Sequence, residues 1–124
     1  MKQEIRTDQA PTPAGPYSQG LKAGNRVYVA GQRPVIPETG ELAQGLEAQS
    51  RQCLENVRNV LRAAGAEMDH VVKVTVYLAD LQNFAAFNAI YKEYFKPPYP
   101  VRTTVSCTLR GVQVEVDAIA ELPE

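Results

Sequence analysis

Two adjoining stretches decide the fold: Leu46-Glu47-Ala48-Gln49-Ser50-Arg51-Gln52-Cys53-Leu54-Glu55-Asn56-Val57-Arg58-Asn59-Val60-Leu61-Arg62-Ala63-Ala64-Gly65, and, a few residues on, Val71-Val72-Lys73-Val74-Thr75-Val76-Tyr77-Leu78. In the first, apolar or small residues at 46, 50, 53, 54, 57, 60, 61 and 64 recur at helical spacing, and Gly65 stands where a left-handed residue closes a helix. In the second, Val72, Val74, Val76 and Leu78 alternate with Val71, Lys73, Thr75 and Tyr77, the two-residue period of a strand. A one-sided helix followed by a one-sided strand must bury their apolar sides together, which makes a sheet covered by helices the natural architecture.

Working outward, Phe84, Phe87, Tyr91, Tyr94 and Phe95 form the apolar stripe of a second helix, with Asp80 or Asn83 as its cap, and Pro97-Pro98-Tyr99-Pro100 ends it. Arg102 to Leu109 and Val112 to Ala120 then read as the arms of a hairpin around Arg110-Gly111, whose glycine supplies a positive φ. Upstream, Val27-Tyr28-Val29-Ala30 is a short strand between Gly24-Asn25 and Gly31, and Pro37-Glu38-Thr39-Gly40 is a turn. Prolines and glycines between Ala10 and Gly20 exclude a helix there and predict a fixed loop, a setting that presents side chains. No repeat or linker divides these elements. They predict one α+β domain over residues 1–124, a mixed sheet with two helices packed on one face. The uncovered face carries valines and aromatics, and oligomerisation is the simplest way to cover it.

Composition narrows the function. No apolar run approaches the roughly 18 residues that cross a bilayer. The opening Met1-Lys2-Gln3-Glu4-Ile5-Arg6 lacks the apolar stretch of a secretory signal, so a cytoplasmic location is expected. Thirteen basic and fourteen acidic residues give no excess for gripping phosphates, which disfavours nucleic acid as a partner. Cys53 and Cys107 lack the spacing of a zinc site and read as buried small hydrophobes. The single histidine, His70, reads as a residue entering a strand. No imidazole cluster for a metal can be assembled, and none is predicted.

With a two-residue hairpin loop, Thr104 would face Asp117 and Ser106 would face Glu115, so Arg102, Thr104, Glu115 and Asp117 would share one sheet face. The spacing fits an exposed cross-strand ion pair as readily as a catalytic group. Asn88 falls on the apolar stripe of the second helix, where an amide needs a polar partner. Tyr17, beside Gly15-Pro16, is either a packing anchor or a ligand contact.

Several ordered blocks resemble one family from end to end: Gly15-Pro16-Tyr17-Ser18-Gln19-Gly20, Ala30-Gly31-Gln32, Gln52-x-x-x-Asn56, Lys73-Val74-Thr75-Val76-Tyr77-Leu78-x-Asp80, Asn88-x-x-Tyr91, Pro100-Val101-Arg102 and Val114-Glu115-Val116-Asp117-Ala118-Ile119-Ala120. They are similar to the RidA (YjgF) enamine/imine deaminases. The resemblance implies a chorismate-mutase-like fold, a homotrimer with ligands bound between subunits, and no cofactor. It also implies hydrolysis of 2-aminoacrylate and related imino acids, such as 2-iminopropanoate and 2-iminobutanoate, to 2-oxo acids and ammonia. On the matching positions, Arg102 would bind the substrate carboxylate and Glu115 would position the water; with both on one hairpin face, the arginine would also keep Glu115 ionised. Tyr17, Gly31 and Asn88 would line the pocket, and the backbone carbonyl of Thr104 would receive the substrate nitrogen. Three departures bear on substrate range: Thr104 where many members have cysteine, Arg33 where an apolar residue is expected, and a short Arg110-Gly111 turn. A non-catalytic sensor of 2-oxo acids and a ribonuclease or translation inhibitor are the competing readings.

Overall fold

The computed structural model describes residues 1–123. Strands β1 (Lys2–Ile5), β2 (Gly20–Ala23) and β3 (Arg26–Gln32) are followed by helix α1 (Leu46–Ala63), strand β4 (Val71–Leu78), helix α2 (Phe84–Tyr94) and strands β5 (Val101–Ser106) and β6 (Val114–Glu121). The strands make one mixed sheet in the order β1-β2-β3-β6-β4-β5, in which only β4 and β5 run parallel.

Helix α1 forms because its apolar positions make one stripe: Cys53, Leu54, Val57, Val60 and Leu61 are all fully buried. Its end is set by Gly65, at φ 81°, where the Gly65 and Ala66 amides donate back to the carbonyls of Arg62 and Leu61. Fully buried Val74, Val76, Leu78, Val114 and Val116 supply the sheet side of the core, with Phe87 and Tyr91 joining from α2.

The hairpin expected from Arg102 to Ala120 does not form. β5 and β6 flank β4 on opposite sides, and residues 107–113 carry the chain across its end. The Cys107 amide donates to the Leu78 carbonyl and the Ala79 amide to that of Gln113, each at 3.0 Å. Gly111 has its positive φ of 72°, but within this crossover rather than a two-residue turn. The reason is topological. Helix α2 carries the chain back so that β5 runs in the direction of β4, and β5 pairs in parallel along one side of β4. The other side of β4 is left for β6, giving the apolar central strand two neighbours.

The register changes which side chains share a face. Ala118, Val74 and Arg102 lie in one row across β6, β4 and β5, and Val116, Val76 and Thr104 lie in the next. These rows point toward the helices. Glu115 lies across from Tyr77 and Asp117 across from Thr75, on the opposite face. Arg102 and Thr104 are therefore separated from Glu115 and Asp117 by the sheet, contrary to the single polar face predicted from a hairpin.

Smaller corrections have local causes. A register shift between Val71 and Lys73 inverts the start of β4, so Val71 is buried and Val72 exposed, the reverse of the alternation expected. The Asp80 carboxylate accepts from the Gln82 amide at the turn before α2, whereas the Asn83 side chain makes no cap and donates instead to Gln113 Oε1. Phe84 is exposed, and Cys107 is only half-buried because it opens the crossover. Among the described residues, no helix is long and apolar enough to cross a membrane.

Candidate functional site

The polar groups singled out by sequence fall into two clusters on opposite sides of the sheet. The first lies at its β5 edge. The Arg102 guanidinium points toward α2, where Nη2 donates to Asn88 Oδ1 at 2.7 Å. This is the polar partner that Asn88 requires on an otherwise apolar stripe. The guanidinium carbon sits 4.6 Å from the Tyr91 ring centre and 5.5 Å from that of Phe84. Each such contact contributes on the order of 0.5 to 2 kcal/mol and fixes the plane of the guanidinium fork.

Among the described residues, Arg102 takes part in no ion pair. It opens onto a cavity of about 280 Å³ that Asn88, Tyr91, Lys92, Tyr99 and Pro100 also line. Two hydroxyls in this region, Tyr91 Oη and Thr104 Oγ1, are buried without a hydrogen-bond partner. Burial, partly offset by Arg102, pushes the Tyr91 phenol up to about 12, so it keeps its proton and can donate. A half-buried, unpaired guanidinium framed by such donors suits a carboxylate, which accepts two parallel charge-assisted hydrogen bonds.

The second cluster gathers where β3 meets β6. Here the register shifts between Val29 and Gln32, and Gly31 lies in the irregularity. A β-carbon at Gly31 would collide with the Glu115 carboxylate, so the glycine is what lets that carboxylate lie against the β3 backbone. Glu115 is raised from the ordinary carboxylate range, chiefly by burial and further by Asp117, while Arg33 opposes the shift. The cation acting on Glu115 is thus Arg33, and not Arg102 as the hairpin geometry implied.

Tyr17, Gly31 and Arg33 line a cavity of about 290 Å³. The Tyr17 ring is half exposed, and its hydroxyl accepts from the Ala14 amide at 3.1 Å, which ties it back to its own loop. That loop is fixed from within by buried Gln19. Its amide donates to the carbonyls of Thr7, Ala10 and Pro11 and accepts from the Thr7 amide. Fully buried Asn56 does the same for the segment after β3, donating at 3.0 Å to the carbonyls of both Arg33 and Val35 while accepting from Gln52.

Residues 7–122 match the family model described as Endoribonuclease L-PSP. A RutC family protein of Pyrococcus horikoshii, PH0854, is 47% identical over 97% of this chain and 98% of its own length. The chain belongs to the RidA (YjgF) family. TdcF of Escherichia coli K12, provisionally named a reactive intermediate deaminase, is 40% identical over 97% of both chains. Among solved structures, RidA from the Antarctic bacterium Psychrobacter sp. PAMC 21119 matches with a TM-score of 0.94 at 41% identity, over 97% of this chain and 99% of that one. E. coli TdcF with bound serine matches with a TM-score of 0.93 at 38% identity, over 98% of this chain and 99% of that one.

As a RidA-family fold, the chain has the mixed sheet and paired helices expected from the resemblance. It brings Arg102, Asn88 and Thr104 to one side of the sheet and Gly31 and Glu115 to the other, with Tyr17 on the same cavity as Gly31. Reading by sequence missed Tyr91 as more than core. Its signal was available: three residues beyond Asn88 on the same helical face, it must meet whatever Asn88 meets. The supporting work of Gln19 and Asn56 leaves only a faint trace, polar residues within motif blocks.

Proposed function

We propose that this chain hydrolyses small, reactive 2-imino and 2-enamino acids to 2-oxo acids and ammonia, at sites completed between copies in a homotrimer. The observation that carries the reading is Arg102: a cation paired with no carboxylate among the described residues, oriented by Asn88 and Tyr91 and open to a cavity of ligand size. The names of the deaminase relatives point the same way.

The substrate carboxylate docks on the Arg102 fork, which fixes the position of the imine carbon. Glu115 accepts a proton from water as the water oxygen bonds to that carbon. Glu115 then returns that proton to the nitrogen of the tetrahedral carbinolamine, the C–N bond breaks to release ammonia, and the carbinol O–H gives up its proton to Glu115 as the C=O of the 2-oxo acid forms. An enamine such as 2-aminoacrylate first gains a proton on its terminal carbon and so enters as the imine. The chemistry is redox-neutral and consumes one water. A carboxyl raised by burial is a stronger base than a free glutamate, which suits this task near neutral pH.

Within one chain the sheet stands between Arg102 and Glu115, so the two meet in one pocket only if a neighbouring copy contributes one of them. Strand β5 is the edge of the sheet, which leaves Arg102 at the rim where a neighbour can reach it. The uncovered face, with Tyr28, Val101 and Val105 exposed, offers the apolar surface such an assembly would bury. In this reading Tyr17 and Gly31 line the Glu115 side, Asn88 the Arg102 side, and the Thr104 carbonyl receives the substrate nitrogen.

A coupled assay tests this: a dehydratase generates 2-aminoacrylate from serine, or its four-carbon analogue from threonine, and 2-oxo acid release is followed with and without the protein. Acceleration that disappears in Arg102→Ala supports the proposal; an unchanged rate with the wild type overturns it. The family model's description favours a second reading, endoribonuclease activity. RNA cleavage that survives extensive purification and is lost in the same variant would establish that reading instead.

A further inference from the structure

Arg33 is a cation on the Glu115 side of the sheet to which the imine hydrolysis assigns no task. It lines the same cavity as Tyr17 and Gly31, and its electrostatic influence reaches Glu115. Its placement is fixed at both ends. The backbone carbonyl accepts from Asn56 Nδ2 at 3.0 Å and from the Val35 amide at 2.8 Å. At the tip, Nη2 donates to the Arg110 carbonyl at 2.6 Å, in the crossover between β5 and β6.

A guanidinium has five N–H donors, and the Arg110 carbonyl occupies one side of the fork only. Among the described residues no carboxylate lies within ion-pair distance of Arg33, Glu115 included. Anchored through its backbone carbonyl and by one hydrogen bond at its tip, the half-buried side chain faces the cavity with part of its conformational freedom already removed, so an anion that meets it is bound at reduced entropic cost.

We propose that Arg33 is a second carboxylate-binding residue, and that the preferred substrates are imino acids bearing a second carboxylate on the side chain, four- or five-carbon dicarboxylic imines. The proposal rests on the deaminase reading and sharpens its substrate class. Arg102 takes the carboxylate adjacent to the imine carbon, while Arg33, on the Glu115 side, takes the distal one. The imine carbon is thereby held between the two cations and next to the acid that handles water. A monocarboxylic imine leaves Arg33 facing solvent and forgoes that contact.

The test compares 2-iminosuccinate and 2-iminoglutarate, generated in situ by amino-acid oxidases, with 2-iminopropanoate, in the wild-type assembly and in Arg33→Met and Arg33→Lys. The readout is the ratio of kcat/KM for dicarboxylic over monocarboxylic imines. Arg33 also influences Glu115 and so affects all substrates alike, but the ratio cancels that common factor. The wild type should prefer dicarboxylic imines by about tenfold, the lower end of what one charge-assisted contact contributes. Arg33→Met should abolish the preference, and Arg33→Lys should restore part of it.

Calorimetric binding of the products gives a readout without turnover: 2-oxoglutarate should bind about tenfold tighter than 2-oxobutanoate to the wild type, and equally to Arg33→Met. A wild-type ratio near one, or a ratio that Arg33→Met leaves in place, overturns the proposal even if every imine is hydrolysed. If nothing is hydrolysed but the binding preference is present and vanishes in Arg33→Met, the deaminase reading falls while Arg33 stands as a dicarboxylate-binding residue.

Discussion

If Arg102 of one copy and Glu115 of another make up each site, two chains that are separately inactive should regain activity when mixed. Arg102→Ala removes the carboxylate clamp, a loss of about 2 to 4 kcal/mol of transition-state stabilisation, or roughly 30- to 1,000-fold in kcat/KM. Glu115→Gln removes the base and leaves a polar group of the same shape. Each parent protein should be close to inactive.

Mixing the unfolded chains in equal amounts and refolding them together produces rings of random composition. In any closed ring with head-to-tail contacts, an interface is functional when the copy giving Arg102 is the Glu115→Gln chain and the copy giving Glu115 is the Arg102→Ala chain. Each condition holds with probability one half, so about one quarter of the sites should be intact. The mixture should therefore recover about a quarter of wild-type kcat per chain in the dehydratase-coupled assay, with KM near the wild-type value because every active site has its full set of groups. A single chain that carried both substitutions, mixed with wild type, controls for assembly. Activity of the mixture no greater than the average of the two parents would refute the shared site, since the sheet leaves no other route for the two groups to cooperate.

Further expectations follow from the same geometry. Gly31→Ala should displace the Glu115 carboxylate and lower kcat by about 10- to 100-fold, while denaturant unfolding shifts by only about 1 to 3 kcal/mol, the usual cost of local overpacking; an active Gly31→Ala enzyme would show that the contact with Glu115 is unimportant. The carboxylate is the working form of Glu115 and its folded value lies above the ordinary one, so kcat/KM should climb as pH rises through that raised value, and the acid limb should be missing in Glu115→Gln. For stability the sign is opposite to that of a salt-bridged acid. Burial penalises the ionised form, so Glu115→Gln should melt no lower than wild type at neutral pH, with any advantage disappearing in acid where both states are protonated. Phe87→Ala, which empties a fully buried position, should cost about 3 to 5 kcal/mol by chemical denaturation.

The parts of the fold that sequence revealed were those written in a local period. The eight-position stripe of α1 and the glycine after it need no knowledge of any partner, because a helix satisfies its own backbone and displays its apolar side directly. The loop around Tyr17 is similarly local, fixed by prolines and by one buried glutamine. Register at the head of β4 was lost because a single bulge reverses inside and outside, and a bulge between Val71 and Lys73 leaves no compositional mark.

The site was harder to read because its geometry is decided by which strands are neighbours. Alternation within Arg102–Ser106 and within Val114–Glu121 was correctly visible, and each strand by itself groups its candidate residues on one face, Arg102 with Thr104 and Glu115 with Asp117. What alternation cannot supply is the phase between two strands, which depends on whether the chain turns back or crosses over. The segment 107–113 is long enough for both, and its glycine fits both. The decisive clue lay in α2: a helix between β4 and β5 lets the chain return in the same direction, the parallel pairing this permits puts Arg102 in the row of Val74, and that row faces the helices. The crossover thus places Arg102 on the helix side, beside Asn88, and separates it from Glu115. The same step turns the resemblance into a physical requirement: if the arginine and the glutamate serve one reaction, the reaction needs more than one copy of the chain.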